Sequence, residues 1–316
     1  TRDWSSDVCS SDLVPLASER SAGSETVFAG KKHKVRKLEA GAFAGVDFAF
    51  FSAGATRSRE FVPAAIKAGA VVIDNSSAFR MDEKVPLVVP EVNGNLLQKH
   101  PQLIANPNCS AAILAVALAP LHRAAGLRRV VVATYQSASG AGAKAMAELE
   151  KQVKDHAAGK EPQAEVFPHV LAFNLFSHNS PVGANGYNEE ENKMVEETRK
   201  IFGLSDLNMV PTCVRVPVPR AHSEAVVASF TKKISSQEAK ALLAKAEGVK
   251  VVDEPQKNLF PMPRHASGEL DVLVGRIREV PGDPLSLAFF VSGDQLLKGA
   301  AWNAVQIVER LIDPNA

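Results

Sequence analysis

The segment from residue 46 to residue 77 contains two short apolar runs with an amphipathic stretch between them. The first run, VDFAFFSAG (46–54), ends in small residues, and the second, AVVIDNSS (70–77), ends in polar residues. The intervening TRSREFVPAAIKAG (56–69) has the spacing of a helix. A strand, a helix and a strand in this order predict a parallel sheet, and therefore an α/β domain.

Two further β-rich runs, PLVVPEVN (86–93) and QLIANPN (102–108), continue this series and close on Asn or Pro turn signals. The polar ends of such strands are expected on one edge of the sheet. Ligands of open α/β sheets bind at that carboxyl edge. The candidate ligand-binding ends are SAGA, DNSSAFR, PEVN and NPNCS.

Beyond residue 126 the pattern of apolar and polar residues changes. Residues 128–153 predict a strand, a glycine loop and an amphipathic helix. Longer runs with partial alternation predict a second, antiparallel α+β layer: NMVPTCVRVPV (208–218), EAVVASFTKK (224–233) and ELDVLVGRIREV (269–280). We expect the last helix, residues 299–312, to pack back on the first domain. A length of 316 residues suits two domains.

Charge and cysteine content narrow the class of protein. A formal net charge of +1 predicts no general attraction to nucleic acid or to anionic membranes. The longest apolar run is well short of the roughly 20 residues that span a bilayer. Cys9, Cys109 and Cys213 cannot all pair, and they show no metal-ligand spacing. These features predict a cytoplasmic protein with free thiols and no metal site.

Cys109 follows the Pro-Asn turn of NPNCS and precedes a long apolar stretch, residues 110–125, which predicts a buried helix. A helix N-terminus lowers the pKa of a cysteine because its unpaired N–H groups and its dipole favour negative charge. The same N–H groups could hold an oxyanion formed on an attacked acyl carbon. Cys109 is therefore a candidate nucleophile. The alternative is an inert, packed cysteine.

His222 and Arg215 lie close together in VRVPVPRAHSE. His222 follows a predicted strand among residues of the kind that active sites use, with a surface or packing role as the alternative. Arg215 lies within the strand, where an arginine is costly unless it meets an anion, and its fork suits a carboxylate. That carboxylate belongs either to a ligand or to an internal Asp or Glu.

Three other features have both a functional and a structural interpretation. Arg80, after a strand end, could meet a phosphate or could be a solvated loop charge. Glu190 and Lys193 share a helix face, for which a solvated ion pair is the ordinary interpretation. The loop SGAGAKA (139–145) matches the GxGxxA fingerprint for dinucleotides, but its glycines could simply allow close approach to Cys109 or to a ligand.

Eight segments resemble sequence blocks of the bacterial aspartate-β-semialdehyde dehydrogenase family. They follow that family's order from about Val14 to about Ile312: LASERSAG, SAGATRSREF, VVIDNSSAFRMDEKVPLVVPEVN, ANPNCS, TYQSASGAGAKA, EEENKMVEETRKI, VRVPVPRAHSE and GDQLLKGAAWN. Eight blocks in register are far more specific than any single motif.

The resemblance implies catalytic and substrate-binding roles. Cys109 matches the nucleophile, His222 the acid/base, and Gln136 the residue that orients the reacting group of the substrate. Arg215 matches the clamp for the substrate carboxylate, and Glu190 lies near its amino group. The implied reaction is NADP-dependent reductive dephosphorylation of L-β-aspartyl phosphate to L-aspartate 4-semialdehyde. It proceeds through a thioester on Cys109, with protonated His222 supporting the second tetrahedral intermediate, and leads toward lysine, threonine and methionine.

The resemblance also implies binding sites for phosphate and for NADP. Arg80, Asn108 and Lys193 match the phosphate site. The residues that match the NADP site are Ser18, Arg20, Ser21, Ser52, Gly54, Ser139, Gly140 and Gln295. An arginine such as Arg20 favours the adenosine 2′-phosphate, which an acidic residue would repel. The family forms homodimers through its second domain, and we expect the same here.

The resemblance implies a Rossmann-like parallel-sheet domain together with an α+β domain for catalysis and dimerisation. We assign residues 14–108 and 295–316 to the NADP-binding domain and residues 109–294 to the second domain. In the family, a buried strand and a glycine turn of the GATGAVG type stand where TRDWSSDVCSSDL occurs here. We therefore expect residues 1–13 to be a non-native leader.

Two other functions remain open at this point. N-acetyl-γ-glutamyl-phosphate reductase uses the same thioester logic, but an acetylated amine carries no charge for Glu190 to bind. An inactive, truncated homologue that only dimerises is the alternative outside enzymes. The complete set of Cys109, Gln136, Arg215 and His222 argues against a relative that has lost catalysis, whereas the missing glycine turn leaves a truncated homologue open.

Overall fold

The structure is a computed structural model that describes residues 13–313. Its strands, in chain order, are β1 Leu16–Ala17, β2 Glu25–Phe28, β3 Lys31–Lys34, β4 Arg36–Lys37, β5 Phe48–Phe51, β6 Val71–Asp74, β7 Leu103–Ala105, β8 Leu127–Gln136, β9 Phe176–Ser177, β10 Asn208–Arg215, β11 His222–Phe230, β12 Val249–Val251, β13 Val272–Val280 and β14 Asp283–Gly293. Its α-helices are α1 Ala55–Lys67, α2 Pro90–Asn93, α3 Cys109–Ala125, α4 Ala143–Ala157, α5 Glu189–Phe202, α6 Ser236–Leu243, α7 Pro263–Ala266 and α8 Trp302–Ile312. A π-helix, Leu297–Ala301, leads directly into α8.

The predicted strand, helix and strand unit is confirmed as β5, α1 and β6. These strands and β7 form a three-stranded parallel sheet in the order β5-β6-β7. The run at residues 86–93 is not a full strand, and this part of the prediction is wrong. Leu87 makes one parallel bridge to Ala105, and α2 then begins at Pro90. Proline has no N–H for a ladder but suits the first turn of a helix.

The described part of the chain before β5 forms two small sheets. β1 pairs in parallel with β4, and β2 pairs with β3 as an antiparallel hairpin. Leu16 and Leu38 pack against the same apolar cluster as Phe43 and Phe51, which fastens these short strands to β5 and α1. The expectation of a leader at residues 1–13 falls on residues that lie, except for Leu13, outside the described range.

A seven-stranded sheet forms the second layer, in the order β12-β13-β14-β11-β8-β10-β9. The expected antiparallel layer is wrong in part, because β10 runs parallel to β8 and β12 runs parallel to β13. α4 and α5 lie in the long connection between β8 and β10, and a connection of this length can return the chain to the same end of the sheet.

Helix α3 is the centre of the main core. It is apolar on nearly all sides, and it packs against α5 and α6 as well as strands of the seven-stranded sheet. A helix that is apolar all round must be buried on all faces. Its N-terminus, where Cys109 lies, therefore sits on a rigid support.

The chain returns to the first sheet through α8, as expected from the sequence. Ala304 and Ile307 of α8 pack against Ile73 of β6 and Ile104 of β7. The preceding π-helix buries Lys298, whose Nζ bonds to Glu91 Oε2 at 2.5 Å, Asn303 Oδ1 at 2.8 Å and Gln306 Oε1 at 2.7 Å. A buried ammonium needs such partners.

Across residues 13–313, every helix is too short or too polar to traverse a lipid bilayer. Nor does any group of three or more His, Cys, Asp or Glu side chains within that range have the arrangement of a metal site.

Candidate active site

The N-terminus of α3 places Cys109 at the first helical position, after Asn108 as the cap. The Asn108 side chain accepts hydrogen bonds from the backbone N–H groups of Ser110 at 3.0 Å and Ala111 at 3.3 Å. This is the usual way to satisfy the unpaired donors of a helix start. Cys109 is part-exposed, whereas Cys213 is fully buried in the core.

Glu190 of α5 joins this cap to Gln136 at the end of β8. Its Oε1 accepts from Asn108 Nδ2 at 2.8 Å and from Gln136 Nε2 at 3.0 Å. Gln136 Nε2 also donates to Ser110 Oγ at 3.1 Å. Glu190 is buried, so the ordinary interpretation of a solvated pair with Lys193 is wrong for this carboxylate.

Arg215, at the end of β10, is buried, and no Asp or Glu in the described part of the chain forms a salt bridge with it. Its Nη1 donates to Ser137 O at 2.6 Å, and its Nη2 lies 2.8 Å from His178 Nε2. Its Nε has no hydrogen-bond partner within residues 13–313. The alternative of an internal Asp or Glu partner is therefore not met among the described residues, and the guanidinium retains an unused donor for an anionic ligand.

His222, at the start of β11, is completely buried. Its Nδ1 accepts from the Ser137 backbone N–H at 3.0 Å, which leaves the ring proton on Nε2. Within the described range Nε2 has no hydrogen-bond partner. Burial, followed by the positive charge of Arg215, lowers the pKa of His222 well below its usual value. The ring is therefore neutral here and offers an Nε2–H donor, whereas the protonated ring implied by the resemblance belongs to the second tetrahedral intermediate.

Two glycines allow this cluster to close. A Cβ on Gly140 would lie 2.9 Å from His222 Cε1 and 3.2 Å from Arg215 Nη1. A Cβ on Gly299 would lie 2.7 Å from Cys109 Cβ. The glycine that touches Cys109 is thus Gly299 of the π-helix, while Gly140 of the predicted glycine loop touches His222 and Arg215.

The charged residues around Cys109 shift the pKa of its thiol in opposite directions. Burial raises the pKa of its thiol to about 12, and the negative charge of Glu190 acts the same way, whereas Arg80 and Arg215 lower it. The thiol is therefore protonated at neutral pH in this arrangement. Its proton must leave when the sulfur attacks.

The three residues matched to a phosphate site are linked through α5. Arg80 is buried, with Nη1 bonded to Glu197 Oε1 at 3.0 Å, so the interpretation as a solvated loop charge is wrong. Glu197 also accepts from the Asn108 backbone N–H at 2.5 Å. Lys193 Nζ lies 2.7 Å from Glu189 and 3.9 Å from Glu190.

The residues matched to a cofactor fall into two groups. Ser139, Gly140 and Gln295 belong to the catalytic cluster. Gln295 Nε2 donates to Ser139 Oγ, and its Oε1 accepts from the Ala221 backbone N–H at 2.9 Å, next to His222.

The second group lies on the first domain and is exposed: Ser18, Arg20, Ser21, Ser52 and Gly54. Gly54 is the N-cap residue of α1 and has φ 88°. Among the described residues, no side chain accepts a capping hydrogen bond from the first N–H groups of α1. An open helix N-terminus of this kind suits a diphosphate. Since α1 follows the parallel strand β5, the described residues fit a dinucleotide at this edge.

Three residues of the site were missed from the sequence. His178 contacts Arg215, Ser137 contacts both Arg215 and His222, and Glu197 contacts Arg80 and Asn108. Of these three, Glu197 could have been found from the sequence, because it lies seven residues after Glu190 and therefore on the same face of the predicted helix.

Two family models match this chain. Residues 9–100 match "Semialdehyde dehydrogenase, NAD binding domain", and residues 118–298 match "Semialdehyde dehydrogenase, dimerisation domain". With the cysteine centre between a parallel sheet and a larger mixed sheet, these matches define a semialdehyde dehydrogenase. An aspartate-semialdehyde dehydrogenase of Synechocystis sp. is 54% identical over 302 residues, covering 96% of this chain and 89% of the relative. The chain belongs to the aspartate-semialdehyde dehydrogenase family.

Other relatives and solved structures agree with this assignment. The aspartate-semialdehyde dehydrogenase of Prochlorococcus marinus is 50% identical over 301 residues, covering 95% of this chain and 88% of that protein. The crystal structure of aspartate semialdehyde dehydrogenase II from Vibrio cholerae superposes with a TM-score of 0.90 at 40% identity, covering 95% of this chain and 90% of that one. A second structure of that enzyme is described as complexed with ASA.

Proposed function

We propose that this protein catalyses the NADP-dependent reductive dephosphorylation of L-β-aspartyl phosphate to L-aspartate 4-semialdehyde through a thioester on Cys109. One observation carries the proposal. Cys109 stands at the capped N-terminus of α3, where the charges of both Arg80 and Arg215 act on its sulfur. A thiol in that position, next to binding groups for two anions, suits an acyl phosphate that also bears a carboxylate.

In the first stage, the Cys109 sulfur adds to the acyl carbon. The tetrahedral oxyanion lies where the N–H groups at the start of α3 favour negative charge. Collapse breaks the bond from carbon to the phosphate oxygen and leaves a thioester. In the overall balance, the thiol proton leaves with phosphate as HPO4²⁻. Arg80 and Lys193 offset the charge on the departing group.

In the second stage, the thioester carbonyl is reduced. Ser139, Gly140 and Gln295 would hold the nicotinamide of the cofactor, which would supply the hydride. His222 then donates from Nε2–H toward the oxygen of the tetrahedral adduct, since the Ser137 backbone N–H fixes Nδ1 as the acceptor. When the adduct collapses, the carbon–sulfur bond breaks, the aldehyde is released as a thiolate forms, and one proton taken up from solvent restores the Cys109 thiol. A neutral imidazole is sufficient for this role, because it positions a donor without first taking up a proton.

Two groups select the substrate. Arg215 presents a guanidinium to the substrate carboxylate, and Glu190 presents a carboxylate to its ammonium. Burial raises the pKa of Glu190. The charges of His178 and Lys193 and the hydrogen bonds from Asn108 and Gln136 lower it by more, so the pKa of Glu190 lies below its usual value. Glu190 is therefore charged at neutral pH. An acetylated amine carries no charge, so Glu190 would keep its hydrogen bonds from Asn108 and Gln136 but would lose the cation of the substrate, which disfavours N-acetyl-γ-glutamyl phosphate.

The test follows NADPH formation in the reverse direction. Purified protein is incubated with NADP, inorganic phosphate and either L-aspartate 4-semialdehyde or N-acetyl-glutamate 5-semialdehyde. We expect phosphate-dependent absorbance at 340 nm with the first aldehyde and at least about 100-fold lower kcat/KM with the second. Preference for the acetylated substrate would overturn the assignment, and no turnover of either aldehyde would favour an inactive homologue that only dimerises.

The preference for NADP over NAD is proposed to depend on Arg20, which is exposed in the turn after β1. Replacing Arg20 by alanine removes the cation that faces the 2′-phosphate. We expect the KM for NADP to rise about 10-fold and the KM for NAD to change less than about 2-fold. Lys67→Ala, at the far end of α1, is the matched control. Equal changes for the two cofactors in Arg20→Ala would contradict this role.

We further propose that the protein forms a homodimer through the face of the seven-stranded sheet opposite α3. A shallow, largely apolar depression on that face is lined by Val131, Ala133, Ala225, Val227 and Phe290, together with Arg276 and Arg278. Val227 is 36% exposed, which is unfavourable in an isolated subunit. The matched family model is a dimerisation domain, and it includes this sheet.

A charge at the centre of this face is expected to separate the subunits. Val227→Glu would bury a carboxylate in a largely apolar interface, and its desolvation should cost more than a new ion pair with Arg276 or Arg278 returns, so light scattering should give the mass of one chain at micromolar concentration. Leu242→Glu, on α6 at the other side of the sheet, introduces the same charge and should leave the dimer intact. A Val227→Glu protein that keeps its dimeric mass would place the interface elsewhere.

A further inference from the structure

Glu197 has no role in the chemistry described above, yet it is among the most buried carboxylates of the site. Its side chain is 2% exposed. Burial of an ionised carboxylate is unfavourable unless it is paired and hydrogen-bonded. Both of its oxygens are engaged, and each partner belongs to the proposed phosphate site.

The first oxygen fixes Arg80. Glu197 Oε1 accepts from Arg80 Nη1 at 3.0 Å, while Arg80 Nη2 donates to the Asn75 carbonyl at 2.8 Å. Two anchors at separate nitrogens determine the plane of a guanidinium. The remaining donor, Arg80 Nε, is buried and has no partner within residues 13–313. Without Glu197, a single bond to Asn75 would hold the head group of Arg80.

The second oxygen fixes the start of the nucleophile helix. Glu197 Oε2 accepts from the Asn108 backbone N–H at 2.5 Å, and Glu190 accepts from the Asn108 side chain. Glu190 and Glu197 are seven residues apart on α5, so they project from one face and hold the same residue at two points. Asn108 immediately precedes Cys109 in the chain.

We propose that Glu197 is a positioning residue that orients Arg80 and the Asn108 backbone N–H together, and so couples phosphate binding to the placement of Cys109. This inference rests on the proposed function for its kinetic readout. Glu197 touches neither the reacting carbon nor the phosphate. It acts through Arg80 and Asn108, and its negative charge also keeps Arg80 from being an uncompensated buried cation.

The first test is Glu197→Gln. The amide keeps one acceptor, but its NH2 group would face either Arg80 or the Asn108 N–H, both of which are donors. We expect the KM for phosphate to rise at least about 10-fold and the KM for aspartate semialdehyde to change less than about 3-fold. Glu196→Gln, the exposed neighbour on α5, is the matched control. A purely structural role would lower the melting temperature and the active fraction while leaving both KM values unchanged, and that result would overturn the proposal.

The second test is a double-mutant cycle, which remains informative if Glu197→Gln folds poorly. Arg80→Gln and the Glu197→Gln/Arg80→Gln pair remove one or both charges, and the pair leaves no unpaired buried ion. If Glu197 acts through Arg80, the pair should bind phosphate as weakly as Arg80→Gln alone. Additive losses in phosphate affinity would contradict the coupling.

Phosphate binding can also be measured without turnover. Inorganic phosphate should raise the melting temperature of the unsubstituted protein and of Glu196→Gln, and this shift should be reduced in Glu197→Gln. This binding measurement distinguishes the proposed catalytic function from the proposed positioning role of Glu197. A protein that shows the phosphate effect but no turnover of aspartate semialdehyde would overturn the proposed function alone, while an undiminished phosphate shift in Glu197→Gln would overturn the positioning role alone.

Discussion

Cys109→Ser is expected to lower kcat by a factor on the order of 10³ or more, because a serine hydroxyl at this position has no base to activate it and forms an ester instead of a thioester. His222 cannot serve as that base in its resting form. Its unprotonated ring nitrogen, Nδ1, already accepts a hydrogen bond from the Ser137 backbone N–H. The measurement is NADPH formation from aspartate semialdehyde, phosphate and NADP.

Cys213→Ser provides the matched control for this substitution. Cys213 is fully buried on β10 and contributes to the main core, where its thiol acts as a small apolar group. We expect Cys213→Ser to retain most of the activity per folded molecule, although its stability will fall. A Cys109→Ser protein with more than about a tenth of the original kcat would remove the thioester mechanism.

Gly140→Ala is expected to lower kcat/KM by about 100-fold, although the substitution adds only one methyl group. Gly140 does not adopt a left-handed conformation, so alanine is allowed by the backbone. The methyl carbon would, however, lie 3.0 Å from His222 Nε2 and 3.2 Å from Arg215 Nη1. Both side chains are buried and cannot swing into solvent. A displacement of about 1 Å in either one misplaces the substrate relative to Cys109.

Gly41→Ala is the control for Gly140→Ala. A Cβ on Gly41 would meet nothing within 4 Å, and its backbone is likewise not left-handed. Gly41→Ala should keep its melting temperature, and Gly140→Ala, whose methyl group crowds buried side chains, is compared per folded molecule, so a loss confined to Gly140→Ala reports on site geometry. If Gly140→Ala keeps full kcat/KM, then Arg215 and His222 do not need the positions that the structure gives them.

Local sequence patterns predict those parts of the fold and of the site that depend on neighbouring residues. The apolar spacing after Cys109 predicts α3, and the place of Cys109 directly before that stretch predicts a thiol at the start of the helix. The strand, helix and strand pattern at residues 46–77 likewise predicts β5, α1 and β6, because short apolar runs that end at turn signals are typical of strands in a parallel sheet.

Other features depend on contacts between distant residues, and local patterns do not encode them. The direction of β10 beside β8 follows from the route of the chain between them, so the sheet is mixed where an antiparallel one was expected. Arg80 looks like a loop charge until folding brings it to Glu197, 117 residues away. His178 reaches Arg215 across 37 residues, and nothing in FSHNS indicates that contact.

The route of the chain after β14 also constrains how relatives of this protein can be recombined. The π-helix places Gly299 against Cys109, and α8 then completes the core of the small parallel sheet through Ala304 and Ile307. A chimaera made with one crossover near residue 108 would join the parallel sheet of one parent to the last helix of another. Because Lys298 must also match Glu91 in the buried network, a workable chimaera needs two crossovers, so that α2 and α8 come from the same parent.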